Sequence, residues 1–202
     1  MTLWLAAEPL LLASRSKARR MLLAAAGIPV EVRPADLNER SLAAAASSPA
    51  PGAIALHLAR GKACTVAANW PARLTLGADQ TLALGAECFA KPADRTAARA
   101  QLSALRGRTH ELHSAVACVT DTKVLFEHVG IARLAMRSFS DEFLDHYLDA
   151  AGSAATESVG GYQIEGLGIQ LFERIDGDYF TVLGLPLLQV LDFLRRQGWL
   201  AQ

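Results

Sequence analysis

Charge of one sign is what this chain lacks most plainly: twenty Lys and Arg are offset by twenty Asp and Glu over 202 residues. Without a net positive field it has no global means of holding a long polyanion or an acidic lipid surface, which argues against nucleic acid and membrane as partners. Cysteine is scarce as well. Cys64, Cys88 and Cys118 match no zinc-ligand spacing, and their odd number argues against a secreted disulfide framework, so the reducing cytoplasm is the expected compartment. No apolar run reaches the length of a membrane span. The apolar opening from Met1 to Ala13 is interrupted by Glu8 and Pro9, and its positive charges follow it, the reverse of a signal peptide. There is no Walker-type lysine loop and no internal repeat. His110 and His113, three apart in an expected strand, face opposite sides and cannot share one zinc.

What is present is ample apolar material, 51% of the residues, enough for one large α/β domain or two small lobes. Pro9 to Ala13 reads as a short buried strand, followed by a helix capped by Ser16 and stopped by Gly27 and Pro29, then a strand at Val30 to Arg33. Residues 41–52 are of low complexity and read as a loop, and Ile54 to Asn69 as a long helix. Alternation over Arg73 to Leu84 predicts an extended strand or strand pair ending at Gly85. A helix over Asp94 to Leu105 precedes a hairpin, Thr109 to Val119 and Lys123 to Met136, and Ser140 caps the next helix. The glycine-rich segment Gly160 to Gly168 leads to strands at Ile169 to Ile175 and Tyr179 to Leu183, and a last helix runs from Pro186 to about Gln197.

The first helix breaks a local rule. Arg15, Lys17, Arg19 and Arg20 crowd its start, where the free backbone N–H groups already carry partial positive charge. The helix after Ser140 does the opposite, with Asp141 and Glu142 in its first turn. An anion between the cations and the N–H groups resolves the conflict, so Ser14 to Arg20 is a candidate phosphate cradle; the alternative is long basic side chains splayed into water. Asp79 interrupts an apolar alternation at Leu76-Gly77-Ala78-Asp79-Gln80, where a carboxylate is costly unless it meets a cation, metal or water, and it is the candidate general base. An Asp at a strand end bonding the next N–H is the plainer alternative. Lys91, held extended before Pro92, can reach a phosphate as a point charge, and Lys62 on the Arg60-Gly61-Lys62-Ala63 helix is a weaker candidate. Glu39, after Asp36 and Asn38 in a polar loop, could help hold Mg²⁺ or could be a solvated turn. Gln163 and Glu165 in the glycine-rich segment are able to read a base edge, but the third glycine of a dinucleotide-binding turn is missing after Gly166 and Gly168.

Taken in order, these segments resemble the Maf family of nucleotide pyrophosphatases. The matching pieces are Leu12-Ala13-Ser14-Arg15-Ser16, Ala59-Arg60-Gly61-Lys62-Ala63, Gly77-Ala78-Asp79-Gln80, Gly85 to Lys91-Pro92, Leu105 to His110, Gly161 to Gly166, and Ile175 to Tyr179 with Val182 to Pro186. The resemblance spans nearly the whole chain and implies a single Maf-like domain over residues 1–202. Its implied fold is α/β, a curved mixed β-sheet flanked by helices, with two lobes around a nucleotide-binding cleft. It implies hydrolysis of a nucleoside triphosphate to the monophosphate and pyrophosphate with a divalent metal cation, Mg²⁺ or Mn²⁺, and is consistent with a homodimer. Carried over, Asp79 is the catalytic base, Ser14, Arg19, Lys62 and Lys91 contact phosphate, and Glu39 with Asp79 meets the metal. Base selection falls to Ala18, Gln80 and Glu165. Gln80 and Glu165 are similar to the branch acting on 7-methyl-GTP, whose cationic base suits a carboxylate, whereas the dTTP/UTP branch has threonine and glutamine there. Ala18 departs from both branches, since it stands where the 7-methyl-GTP branch has tryptophan. The competing class is a nucleotide-binding regulator of cell division without turnover.

Overall fold

The computed structural model describes residues 2–202; Met1, the first residue of the apolar opening, lies outside them. In chain order the elements are β1 (Leu10–Leu12), α1 (Lys17–Ala25), β2 (Val30–Val32), α2 (Glu39–Ala44), α3 (Pro51–Ala67), β3 (Thr75–Leu84), β4 (Glu87–Phe89), α4 (Arg95–Leu105), β5 (Thr109–Thr120) and β6 (Lys123–Met136). There follow α5 (Asp141–Ala151), α6 (Ala154–Glu157), two 3₁₀ turns (Val159–Gly161 and Leu167–Leu171), β7 (Phe172–Asp176), α7 (Tyr179–Val182) and α8 (Leu187–Arg196). The fold is α/β with a mixed seven-stranded sheet in the order β2-β1-β3-β5-β6-β7, and β4 on β3. The chain divides into two compact units, and β3, β5 and β6 pass from one to the other after Gln80, Leu112 and Gly130.

The first unit runs up to Gln80 and adds His113–Gly130 and Asp178–Gln202. Its centre is β1, with β2 and β3 on either side and parallel to it (Leu12↔Val32 and Leu12↔Leu76). A strand of three leucines, all fully buried, suits a parallel sheet covered on both faces. Leu10 and Leu12 enter the cluster that α8 closes with Leu187, Val190, Phe193 and Leu194, while Leu11 and Ala13 turn the other way toward Val66 of α3. β5 is divided similarly: Val116 and Cys118 face the α8 side, and Ala115, Ala117 and Val119 face a stripe of alanines on α3, Ala55, Ala59, Ala63 and Ala67. The i, i+4 spacing of those alanines makes one smooth ridge, so helix and sheet approach closely.

The second unit comprises Thr81–Leu112 and Ile131–Gly177. Here β3 turns at Gly85 (φ 63°) into antiparallel β4, and β7 pairs antiparallel with β6 (Arg133↔Asp176). α4, capped by Asp94, buries Ala98, Leu102 and Leu105 and is tied to α5 by Arg95–Asp149, Arg99–Asp145 and Arg106–Asp141 ion pairs. His110 Nε2 lies 2.6 Å from the Tyr162 hydroxyl, and the Tyr147 hydroxyl donates to the Gly161 carbonyl at 3.0 Å, pinning the root of the glycine-rich segment.

Three expectations need correction. The segment expected as a strand at Tyr179 to Leu183 is a helical turn, because Asp178 accepts from the Thr181 N–H at 3.0 Å and caps it. Residues 41–52 are not all loop: Asn38 accepts from the Ser41 N–H, starting α2, and Pro51 opens α3 three residues before Ile54. β7 begins at Phe172 rather than Ile169, the preceding residues forming a 3₁₀ turn. Of the two alternatives for Arg73 to Leu84 the extended strand holds: Thr75–Leu84 is one continuous strand, with β4 a separate partner beyond Gly85.

Candidate active site

Two close approaches at glycines shape the surroundings of the candidate base, and the one at Gly77 is against backbone. Along β3, Leu76 and Ala78 point into the α8-side core, so Gly77 and Asp79 point toward α3. A Cβ on Gly77 would lie 2.1 Å from the Ala59 carbonyl oxygen and 2.7 Å from the Ala63 nitrogen, so α3 rests on bare backbone. Lys62, between those two alanines, thereby reaches Asp79, its Nζ donating to Oδ1 at 2.6 Å. On α3 itself, a Cβ at Gly61 would meet Leu42 Cδ2 at 2.4 Å, so α2 packs against this point and brings Glu39 Oε1 to 2.9 Å from the same Lys62 Nζ. Asp79 and Lys62 side chains are nearly buried, at 12% and 11% exposure, whereas that of Glu39 is 60% exposed. The Lys62–Asp79 pair is therefore the strongly felt one, and the Glu39 contact is weakened by solvent.

Arg19 extends the cluster. Its Nε donates to the Gly184 carbonyl at 2.8 Å, and its Nη1 to the Ala78 carbonyl at 2.7 Å and to Ser14 Oγ at 3.0 Å. Burial pushes the guanidinium down from its ordinary value, and the attraction of Asp79 and then Glu39 opposes the shift. Gly184 has φ 87°, a left-handed conformation natural to glycine, and a Cβ there would press on Arg19 Nη2 at 3.2 Å. Gly184 entered the sequence reading only within the matching piece Val182 to Pro186, and nothing in the sequence reports that its carbonyl is an anchor.

Ser16 caps α1 by accepting from the Arg19 N–H at 3.3 Å, and its own N–H donates to Ser14 Oγ at 3.3 Å. The helix has no acidic residue in its first turn. Ser14, Arg15, Ser16, Lys17, Arg20 and Val32 line a depression of about 240 Å³ at this start. A larger one, about 570 Å³, follows Arg20, Met21, Ala24 and the Gly27–Val30 turn and touches none of the other candidate residues.

The expected residues thus sort as follows. In the first unit Ser14 contacts Arg19, and Lys62 contacts both Asp79 and Glu39; the two groups meet where Arg19 bonds the Ala78 carbonyl, next to Asp79. Ala18 is half-buried on α1. Gln80 points away from Asp79, and its amide nitrogen donates toward Ser114 Oγ, the Val182 carbonyl and the Thr181 carbonyl at 2.9, 3.0 and 3.3 Å. Only its carbonyl oxygen is left to meet a ligand. Lys91 and Glu165 stand exposed on loops of the second unit. Sequence reasoning missed Ser114 and Thr181, which are linked by a 2.7 Å bond from Ser114 Oγ to the Thr181 carbonyl and hold Gln80; a lone serine in a strand carries no signal.

The sequence profile described as Maf-like protein matches residues 9–197. The chain belongs to the Maf family. A family member from Rhodopseudomonas palustris (strain HaA2), named nucleoside triphosphate pyrophosphatase, is 58% identical over 201 residues that cover all of both chains. Another of that name from Bradyrhizobium diazoefficiens is 55% identical, again over the full length of both. A 7-methyl-GTP pyrophosphatase from Mesorhizobium japonicum is 52% identical over 193 residues, 95% of this chain and 97% of that one. The Maf family therefore accounts for nearly the whole sequence, including every candidate residue named above.

Proposed function

We propose that this Maf-family chain is a nucleoside triphosphate pyrophosphatase, a hydrolase of phosphoric anhydrides that converts a nucleoside triphosphate to the monophosphate and pyrophosphate. The observation that carries the reading is the buried Asp79 carboxylate, ion-paired to Lys62 and set beside the cationic start of α1. Oδ2 of Asp79 makes no hydrogen bond to a described residue, so it can accept a proton from a water. That water attacks the α-phosphorus in line, its proton passing to Asp79, while the bond from the α-phosphorus to the bridging oxygen breaks and pyrophosphate leaves with the electron pair. Phosphoryl chemistry asks the protein mainly for positioning and charge neutralisation. Ser14, Arg19 and Lys62, with the free N–H groups of α1, supply these. The resemblance alone proposes Lys91 as a further phosphate contact.

The donor set fits a hard divalent cation. Asp79 and Glu39 converge on a single positive centre, the Lys62 ammonium, and Mg²⁺ is typically held by one or two carboxylates, the rest of its shell coming from water and substrate phosphates. Among the described residues no group of three or more His, Cys, Asp or Glu is arranged to hold a metal alone. Mg²⁺ or Mn²⁺, when bound, would neutralise triphosphate charge, and Asp79 and Glu39 would hold it.

For the base we propose 7-methylguanine. Support comes from the exposed Glu165 carboxylate, which suits a cationic ring, and from the relative named 7-methyl-GTP pyrophosphatase. The neutral net charge supports a nucleotide rather than a nucleic acid or membrane partner, and the sparse cysteine supports the cytoplasm. Among the described residues no helix is long and apolar enough to cross a membrane.

The test is to incubate the purified protein with each common and N7-methylated triphosphate plus Mg²⁺ or Mn²⁺ and to separate pyrophosphate from orthophosphate. Pyrophosphate and monophosphate in equal amounts are expected, with 7-methyl-GTP cleaved fastest. Orthophosphate as the sole product would indicate a γ-phosphatase. Thermal stabilisation by triphosphates without any product would indicate a regulator that binds and does not turn over.

A further inference from the structure

The carboxylates assigned to the metal already have a cation. Lys62 Nζ lies 2.6 Å from Asp79 Oδ1 and 2.9 Å from Glu39 Oε1, and Arg19 is within electrostatic reach of both carboxylates. Two negative and two positive groups therefore balance one another, Arg19, Lys62 and Asp79 buried and Glu39 at the exposed edge. A divalent ion entering it alone would have to expel an ammonium from its best partner and leave Lys62, only 9% exposed, without an anion.

We infer that Lys62 is an internal counter-ion that keeps Asp79 and Glu39 closed to a divalent cation until a triphosphate draws its ammonium away. This rests on the pyrophosphatase reading of the same residues. The lysine is suited to the exchange, since a flexible four-carbon stem carries a point charge with three donors and can pass from carboxylate to phosphate without losing hydrogen bonds. Arg19 is not suited, because three of its bonds are to backbone carbonyls and a hydroxyl that do not move with the ligand. The consequence is ordered entry: metal binds with or after the triphosphate and not before it.

Free Mn²⁺ can be followed by electron paramagnetic resonance, with no turnover required. The wild-type protein alone is expected to bind Mn²⁺ weakly, and an α,β-methylene triphosphate should create a tight site. In Lys62→Met, Mn²⁺ affinity without nucleotide should rise by about tenfold or more, as expected when a positive charge in contact with two carboxylates is removed. Lys62→Arg should stay closed, and adding Asp79→Asn to Lys62→Met should abolish the gain. A folded Lys62→Met protein, checked by circular dichroism, with wild-type Mn²⁺ affinity would overturn the inference. So would a wild-type protein that takes Mn²⁺ equally well with and without the triphosphate, a result that needs no variant to fold. Pyrophosphate release is scored separately, on the wild-type protein: tight Mn²⁺ binding by Lys62→Met beside a wild-type protein that cleaves no triphosphate keeps the counter-ion and removes the enzyme reading.

Discussion

At the scale of single residues, the proposed mechanism gives Asp79 the chemistry, while the bonds of Arg19 are largely architectural. Asp79 has one oxygen on Lys62 and one that makes no hydrogen bond to a described residue, the condition of a group that can still take a proton. Asp79→Asn keeps the shape and can still accept from Lys62 through its carbonyl oxygen, so the fold should survive. Turnover should fall by roughly the 10²–10⁴ that general-base loss costs, while affinity for a non-hydrolysable triphosphate changes little. Steady-state kinetics beside a binding isotherm checks this, and wild-type kcat in the variant would remove Asp79 from the mechanism. Arg19 was read from the sequence as a phosphate contact, yet three of its donors face inward, and only Nη2 makes no hydrogen bond to a described residue. Its charge still counts toward an anion at the start of α1, but the guanidinium also fastens α1 to β3 and to the turn at Gly184. A crowd of cations at a helix start can announce that an anion is needed; it cannot tell which of the four neighbouring cations will be buried.

At the scale of elements, the site depends on how closely α3 lies on β3, and that closeness is set by Gly77. Adding a methyl there puts carbon 2.1 Å from the Ala59 carbonyl and 2.7 Å from the Ala63 nitrogen, both main-chain atoms that cannot step aside as a flexible side chain could. Gly77→Ala should destabilise by about 1–3 kcal/mol, the usual cost of overpacking. It should also lower turnover, because Lys62 rides on the displaced helix. Urea denaturation should show a lower midpoint at an unchanged slope. Much of this architecture was legible beforehand. The Ser16 cap, the leucine strand and the hairpin at Asp121 follow from local rules, and Asp79 stood out because it broke a strand pattern. Tyr179 to Val182 was misread because Tyr, Phe, Thr and Val favour strands, while the deciding contact is a single cap from Asp178. The meeting of Glu39 with Lys62 was legible only as two separate candidates. It requires α2 to pack on Gly61, and a glycine within a helix does not say which neighbour fills the space above it.

At the scale of the whole molecule, stability should depend on pH through a histidine outside the proposed chemistry. His110 is buried against Tyr162 and Phe172, and burial pushes its imidazole down from 6.5 to about 4. The Tyr162 hydroxyl beside it is pushed up by burial and then by Tyr147, so it stays protonated and able to donate to Nε2. The folded chain therefore keeps His110 neutral at a pH where the unfolded chain protonates it. Because the folded value lies below the unfolded one, this contribution is complete above about pH 6.5 and is lost as the pH falls toward 4. The full loss is on the order of 3 kcal/mol for a shift of this size. Unfolding free energies from denaturant titrations at pH 7.5, 6, 5 and 4.5 should decline along that course. His110→Gln, which can keep one hydrogen bond to Tyr162 but cannot titrate, should start less stable and decline less. Carboxylates in ion pairs also lose stability in acid, but Asp145, held low chiefly by its hydrogen bond to Arg99, titrates below its ordinary value of 3.8, under the His110 window. A decline of equal steepness in wild type and His110→Gln between pH 6.5 and 4.5 would assign the acid sensitivity to some other group.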